Sequence, residues 1–259
     1  MPETEELFGE YIDFEVKRKF GIITLNRVHR SNAFTQEQLT HLCGALEYCQ
    51  LSEKIRGIIL TNNGESFSTG MDLDYIDGSN HAAVKQLEST AADIVNLIWD
   101  GKPIICALNG RCMGEGVVFA IACDYRIATK GSFFWMPEIL SGIFPGTGCT
   151  ILFSKILGIS WTKKMLMLAE EISAEKALEI DLIDHVVENK DELIEEAMNR
   201  AKFLFTKNQT VLNAIKLCSN HLMDKSYTRA SLLESFASSW FEHQNETIFL
   251  SKLRRMVQE

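Results

Sequence analysis

The sequence predicts an α/β fold, in which short strands and helices succeed one another before a helical C-terminal third. Runs rich in Ile, Phe and Val at residues 12–16 and 22–26 are typical of β-strands, and the short connection at residues 17–21 predicts a hairpin. Residues 35–49 carry apolar side chains at helical spacing. Residues 191–259, which are rich in Phe, Leu and Trp, are predicted to be helical throughout.

Further elements follow from local residue patterns. The helix over residues 35–49 is predicted to begin at a capping box, formed by Thr35 and by Gln38 three residues later. Residues 57–60 and 103–108 are short apolar runs, too short to cross a membrane and typical of buried strands. The triplet Asn62-Asn63-Gly64 predicts a turn after the first of these strands.

Several further helices are predicted beyond residue 116. Residues 117–123 are small and apolar, which indicates a helix that is buried on all sides. Residues 151–157 and 162–168 are predicted helices as well. Residues 172–183 form a further predicted helix, with Ser173 as its N-cap.

Composition and charge argue against several functional classes. Of the 259 residues, 46% are hydrophobic and 24% are charged, which is ordinary for a globular enzyme with a sizeable core. The formal net charge of -9 argues against a nucleic-acid partner, because no basic stripe is present to neutralise phosphates. No apolar run approaches the length of a spanning helix, and the acidic N-terminus resembles neither a signal nor a transit peptide. The sequence therefore predicts a cytoplasmic protein with no nucleic-acid or membrane partner.

The 7 cysteines and 6 histidines do not indicate a metal site or a disulfide framework. The cysteines are odd in number, lie mostly in apolar contexts and include no C-x-x-C pair, so reduced thiols are expected. The histidines are scattered without metal-binding spacing. We therefore predict neither a metal nor a redox cofactor.

The strongest chemical signal lies in residues 109–148. Gly110, Gly114 and Gly116 allow tight backbone turns after a buried strand, and the helix that begins there has unpaired N–H groups at its start. Such donors favour an oxygen that carries negative charge. Glu138 follows Pro137 later in the same segment. Backbone donors together with one carboxylate suit enolate chemistry.

A second glycine break, at residues 66–73, also lies between a predicted strand and a predicted helix. Gly70 allows an unusual backbone angle, and Asp72 is a candidate N-cap for the helix. Two such breaks can direct two N–H groups at one point, which is what an oxyanion hole requires. The polar loop at residues 27–32, which contains two arginines, is either a solvated connection or a cationic rim for a phosphate-bearing ligand.

Four motifs occur along the chain: F-S-T-G-M-D-L at 67–73, N-G-x-x-x-G-x-G at 109–116, C-D-Y-R-I-A at 123–128 and P-E-I-x-x-G-I-x-P-G-x-G at 137–148. In this order, they resemble the crotonase superfamily, the enoyl-CoA hydratase/isomerase group, and the resemblance covers essentially the whole chain. It implies a crotonase-like spiral of β-β-α turns over residues 1–190, which carries the CoA-binding and active site. It also implies a helical C-terminal region over residues 191–259 that assembles homotrimers, often stacked as hexamers.

The resemblance assigns the oxyanion hole to two backbone N–H groups. One belongs to Met71, directly after the glycine of the first motif, and the other to Glu115. Family members usually have glycine at the second position, so a side chain lies beside the hole in this chain. The neighbouring candidate substrate-binding residues are Ser68, Gly70, Asp72, Gly114 and Val118.

Other positions are implied to contact the acyl-CoA. The loop that lies along the CoA nucleotide in relatives corresponds to Arg27, Arg30 and Ala33. The tail position near a CoA phosphate corresponds to Lys252, Arg254 and Arg255, with a solvated face as the alternative. Candidates for the acyl pocket are Phe236, Trp240, Phe241 and Phe249, with core packing as the alternative.

The acids indicate which reaction to expect. Hydratases of this family use two glutamates to hold and activate water, but here only the second is retained, as Glu138, while the first aligns with Val118. One base is enough to move a double bond: it removes a proton from C2 of a 3-enoyl thioester and returns it to C4 of the dienolate. Apolar neighbours such as Trp135 would raise the pKa of Glu138 towards that of a usable base. We therefore expect an isomerase similar to the Δ3,Δ2-enoyl-CoA isomerases, with coenzyme A as part of the substrate.

Several alternatives remain open. Glu115 lies three residues before Val118, so it could act as the second acid of a hydratase, line the acyl pocket or simply favour the helix start. Glu138 itself could do no more than stabilise a helix dipole. The chain could also decarboxylate or isomerise an acyl group on an acyl carrier protein, or bind acyl-CoA without catalysis.

Overall fold

The structure, a computed structural model, describes residues 8–77, 80–222, 233, 236 and 245–258. Its strands are β1 (Ile12–Lys17), β2 (Phe20–Leu25), β3 (Gly57–Asn62), β4 (Ser66–Ser68), β5 (Ile104–Leu108), β6 (Arg111–Met113), β7 (Tyr125–Thr129), β8 (Phe133–Trp135), β9 (Ile172–Ser173) and β10 (His185–Val187). Its helices are α1 (Gln36–Leu51), α2 (Leu73–Asp77), α3 (His81–Asp100), α4 (Glu115–Ala122), α5 (Cys149–Met167), α6 (Ala174–Glu179), α7 (Lys190–Phe205), α8 (Gln209–His221) and the C-terminal helix (Glu246–Gln258). Short 3-10 helices cover Val28–Arg30 and Glu138–Ser141.

The strands form two sheets that the chain visits alternately. The larger sheet has the order β1-β2-β3-β5-β7-β10 and is parallel except for β1, and the smaller has the order β4-β6-β8-β9 and is parallel except for β9. Strand pairs β3–β4, β5–β6 and β7–β8 each pass from the larger sheet to the smaller one before the next helix. The predicted β-β-α turns are therefore present.

The N-terminal elements agree with prediction except at the capping box. The β1–β2 hairpin turns at Arg18 and Lys19, whose φ angles are 50° and 71°, as a two-residue type I′ loop requires. The Thr35 hydroxyl accepts a hydrogen bond from the Gln38 N–H at 3.4 Å and caps α1. The second hydrogen bond of the predicted capping box, between the Gln38 side chain and the Thr35 N–H, is wrong. The Gln38 amide is buried and has no hydrogen-bond partner in the described part of the chain.

Several predicted boundaries in the second half need correction. Both predicted helices over residues 151–168 are present as α5, with a kink at Gly158. The predicted helix over residues 172–183 begins as predicted, with Ser173 as the N-cap of α6, but its end is wrong, because α6 ends at Glu179 and Asp181 takes a φ of 61°. The C-terminal third is not helical throughout either, because Asn208 starts a new helix, accepting a hydrogen bond from the Val211 N–H at 3.0 Å.

The larger sheet separates the hydrophobic core into two parts, one on each of its faces. Helix α7 covers one face of that sheet, where Leu193 packs with Ile59 and Ile105, while α1, α3 and α4 pack on the other. On α8, Lys216 Nζ donates to the carboxylate of Asp124 at 2.7 Å, which ties this helix to the sheet. The division at residue 190 stays a prediction. Across the described stretches, we find no helix whose length and hydrophobicity would let it span a membrane.

Candidate active site

Strands β4, β6 and β8 end at the same edge of the smaller sheet. They run in parallel, and Met113 at the end of β6 is the register partner of Trp135 at the end of β8. Ligands of open parallel sheets bind at this kind of edge, outside the carboxyl ends of the strands. The turns that leave the three strands carry Gly70, Gly114 and Glu138. The sheet thus brings together three motifs that are far apart in the sequence.

Gly70 packs directly against the start of α4. A Cβ atom on Gly70 would lie 3.2 Å from the Met113 oxygen and 3.4 Å from the Glu115 nitrogen. Its φ of 83° also favours glycine. The peptide that carries the Met71 N–H therefore lies beside the peptide that carries the Glu115 N–H.

Neither predicted donor has an acceptor among the residues that the structure describes. The Phe34 N–H donates to the Gly70 oxygen at 2.8 Å, and the Asp72 N–H donates to the Phe34 oxygen at 2.9 Å. In such a parallel bridge, the N–H of Met71 itself faces away from Phe34. Glu115 is the first residue of α4, where N–H groups have no acceptor within the helix. Among the described residues, neither N–H donates a hydrogen bond, so both are available to an acceptor on a ligand.

The carboxyl group of Glu138 lies against Gly114, the residue directly before the second predicted donor. The Gly114 N–H donates to the Trp135 oxygen at 2.9 Å, and the chain then turns back through Pro137. A Cβ on Gly114 would lie 2.9 Å from Oε1 of Glu138. Burial raises the pKa of Glu138, and its own backbone N–H opposes this in part. Oε2 of Glu138 is buried without a partner in the described structure, which suits a general base.

The side chain of Glu115 occupies the same buried site. It is only 8% exposed, and the Thr147 hydroxyl donates to its Oε2 at 3.1 Å. Its Oε1 has no partner among the described residues. Burial raises the pKa of Glu115 to about 7; the hydrogen bond from Thr147 acts against the shift, and the charges of Glu138 and Glu88 add to it. Two acidic side chains thus share one site.

The hydroxyl of Ser68 stabilises the turn at Gly70 through two hydrogen bonds. It accepts from the Gly70 N–H at 3.1 Å and donates to the Asn32 oxygen at 2.8 Å. A Cβ on Gly116 would lie 3.0 Å from Cβ of Ser68. The close contact between β4 and α4 therefore requires glycine at position 116.

Arg27 and Arg30 bind Asp72 rather than standing free. Arg27 Nη1 donates to Oδ2 of Asp72 at 2.7 Å and to the oxygen of buried Ala33 at 2.9 Å. Arg30 Nη2 donates to Oδ1 of Asp72 at 3.1 Å and also pairs with Asp74. The loop is thereby held against α2. The Arg27 side chain is 13% exposed and that of Arg30 is 41% exposed, so Arg30 is the better placed of the two for the predicted rim.

We expect Asp72→Asn to lower stability and to remove one component of acid unfolding. Burial opposes the ionisation of Asp72, but hydrogen bonds from Arg27, Arg30 and the Tyr75 N–H outweigh it and lower its pKa to about 2. This pKa lies below the unfolded value of about 3.9, so the stabilisation is present above that value and is lost as the pH falls from about 4 to about 2. The free energy of unfolding at pH 7 should fall by about 2 kcal/mol. Urea unfolding at pH 7 and pH 2 checks this; a difference between wild type and variant that persists at pH 2 would contradict it.

The remaining predicted side chains near Glu138 are apolar. Val118 is buried in the core, and the Trp135 Nε1–H donates to the Ala169 oxygen at 2.9 Å, which fixes the indole. Within the described ranges, no group of three or more His, Cys, Asp or Glu side chains could hold a metal ion. The groups that the site offers to a ligand are backbone N–H donors and two carboxyls.

Three of the predicted C-terminal residues, Phe236, Phe249 and Lys252, lie against one another. Phe236 stacks on Phe249 with ring centroids 5.4 Å apart, and Lys252 Nζ lies 5.0 Å from the Phe236 ring centroid. These contacts belong to the apolar cluster between α8 and the C-terminal helix. Trp240 and Phe241 lie outside the described residues. Ligand-binding roles for Phe236 and Lys252 stay predictions.

Sequence reasoning missed Thr147, the hydrogen-bond partner of Glu115. The motif at residues 137–148 treats its position as variable, so no role was assigned to it. A signal was nevertheless present, because a β-branched residue between two glycines is an unusual choice for a turn.

Comparisons with known proteins agree with this geometry. Residues 15–250 match the family model for enoyl-CoA hydratase/isomerase. The chain is 28% identical over 250 residues to the crotonyl-CoA hydratase of Syntrophomonas wolfei, covering 94% of this chain and 96% of the relative. It is 30% identical over 216 residues to the 1,2-epoxyphenylacetyl-CoA isomerase of Escherichia coli, covering 82% of each. A solved enoyl-CoA hydratase from Bacillus anthracis matches with a TM-score of 0.86 at 24% identity, over 95% of this chain and 96% of that one, which confirms the predicted fold.

Proposed function

Because the chain belongs to the enoyl-CoA hydratase/isomerase family, we propose that it moves the double bond of an enoyl-CoA thioester from position 3 to position 2. One observation supports this proposal above all. The carboxyl of Glu138, whose pKa is raised by burial, lies against Gly114, the residue directly before the second predicted donor. Coenzyme A is part of the substrate, and the reaction needs no other cofactor.

Each group of the site has one task in this reaction. The N–H groups of Met71 and Glu115 donate to the thioester oxygen and stabilise the negative charge that develops there. Ionised Glu138 removes a proton from C2, which leaves a dienolate, and then delivers that proton to C4. A single base suffices because the proton that it takes is the proton that it returns.

Hydration of a 2-enoyl-CoA is the second candidate, and the position of Glu115 favours it. Oε1 of Glu115 and Oε2 of Glu138 are both buried acceptors without partners among the described residues. Two such carboxyls could hold and activate a water molecule. Most of the relatives are named as hydratases and one is named as a 1,2-epoxyphenylacetyl-CoA isomerase, so the names support hydration more than isomerisation.

Two substrates separate these reactions. We expect a 3-enoyl-CoA to gain the absorbance of a conjugated thioester and a 2-enoyl-CoA to keep it, because Val118 replaces the usual first acid. Loss of absorbance from the 2-enoyl-CoA alone would favour hydration instead. No change with either substrate, despite binding, would indicate an acyl-CoA-binding module. The same measurement with the acyl group on a carrier protein tests that substrate.

The proposal includes self-association into a homotrimer or hexamer. Large apolar side chains are exposed along the segment that follows Glu138: Ile139 48%, Leu140 68%, Ile143 44%, Phe144 77% and Ile151 62%. Exposed large apolar side chains concentrated in one segment are typical of an interaction site. A neighbouring subunit on this segment would lie close to the acid that carries the chemistry.

A further inference from the structure

Thr147 has a backbone conformation that β-branched residues rarely adopt. Its φ is 53°, and the following residue, Gly148, has a φ of 80° and caps α5. A β-branched side chain is strained in this left-handed region. Such strain persists only where the surrounding structure imposes it, and it is concentrated at functional sites.

The side chain of Thr147 holds Glu115. Its hydroxyl donates to Oε2 of Glu115 across a separation of 32 residues. Burial, together with the nearby charges of Glu138 and Glu115, raises the pKa of the Cys149 thiol at the start of α5. The Thr147 turn, both carboxyls and the start of α5 therefore lie together.

Two other glutamates in the first turn of a helix show a contact that Glu115 lacks. The carboxyls of Glu138 and Glu175 both interact with their own backbone N–H. Glu115 also occupies the first turn of a helix, yet its carboxyl bonds to Thr147 instead. The N–H that it leaves free is the predicted second donor of the oxyanion hole. A carboxylate so close to these N–H groups can accept their hydrogen bonds itself, and it then competes with a ligand for them.

We propose that Thr147 is a positioning residue that holds the Glu115 carboxyl away from the donor pair and so keeps the oxyanion hole open. A glycine at position 115 would not need such a residue, because it has no carboxyl to restrain. The inference rests on the proposed function, since it takes the Met71 and Glu115 N–H groups as the donors to the thioester oxygen.

Thr147→Val tests this, because it keeps the β-branched shape and removes only the hydroxyl. Freed Glu115 competes for the donors when it is ionised, so the defect should grow as the pH rises. The titratable groups that face Glu115 are Glu138 on the 3-10 helix, Glu88 on α3 and Cys149 on α5; all three are the same in both proteins. We expect Thr147→Val to bind butyryl-CoA, a saturated and unreactive thioester, roughly tenfold more weakly than wild type at pH 8 and nearly equally at pH 6.

Two further variants separate positioning from a general structural effect. Thr147→Ser retains the hydroxyl and should bind like the wild type at both pH values. In a Glu115→Ala background, Thr147→Val should no longer weaken binding, because the competing carboxyl is gone. Equal binding by wild type and Thr147→Val at pH 8, or a loss that persists without Glu115, overturns the inference. Absence of butyryl-CoA binding by the wild type would instead refute the proposed function.

Discussion

Glu138→Gln should lower kcat by roughly 10²–10⁴-fold and leave the binding of butyryl-CoA nearly unchanged. Glutamine fills the same space and cannot accept a proton, so only the chemical step is lost. Because burial raises the pKa of Glu138 and the base must be ionised, the wild-type rate should fall as the pH drops through that raised pKa. The acid limb of its pH–rate profile should therefore lie above the usual glutamate value of about 4.3.

A matched control is Glu175→Gln. Glu175 also lies in the first turn of a helix and also interacts with its own N–H, but it is exposed and belongs to α6. Its replacement should leave kcat unchanged, and steady-state kinetics with the active enoyl-CoA compares the two variants directly. If Glu138→Gln turned over at the wild-type rate, the acid would have to be sought elsewhere, with Glu115 as the first candidate.

The backbone of the site could be predicted because glycine leaves a clear signal in the sequence. The sequence predicts an unusual backbone angle at Gly70 and a tight turn at Gly114, and both residues have positive φ. It also places Glu138 directly after Pro137 in the same segment as Gly114, and the carboxyl of Glu138 lies beside Gly114. These features depend on short stretches of sequence, where local conformational preferences are strong.

The second sheet could not be derived from residue patterns. Strands β4, β6 and β8 have three residues each, which is too short for an alternating pattern to stand out. Their pairing depends on neighbours far away in the chain. Only the resemblance to a known family implied the alternation between sheets that brings the motifs together.

Side-chain contacts between residues far apart in the sequence could not be predicted either. The polar loop with Arg27 and Arg30 left open a solvated connection or a cationic rim, and neither reading included the ion pairs with Asp72, 45 and 42 residues away. The bond from Thr147 to Glu115 spans 32 residues in the same way. Such contacts depend on the three-dimensional path of the chain, which residue spacing does not contain. They decide the electrostatics of the site, because each one fixes the charge or position of an acid.

Gly70→Ala should lower kcat by roughly 10²-fold, the cost of losing one oxyanion-hole donor, and should also reduce stability by roughly 1–3 kcal/mol. A methyl group at this position meets the Met113 oxygen at 3.2 Å and the Glu115 nitrogen at 3.4 Å. Relief of that contact moves the two turns apart, so the Met71 and Glu115 N–H groups no longer point at one oxygen. The positive φ adds backbone strain to this displacement.

Gly158→Ala separates the two effects of this substitution. Gly158 has a φ of 73°, close to the 83° of Gly70, but a Cβ there would meet nothing within 4 Å. It should therefore lose stability through the same backbone strain while keeping its kcat. Thermal unfolding and steady-state kinetics on both variants give the comparison. Equal losses of kcat in the two would mean that strain alone impairs the enzyme. A loss confined to Gly70→Ala would mean that catalysis depends on how closely the two glycine turns approach each other, because that contact is what sets the two N–H groups side by side.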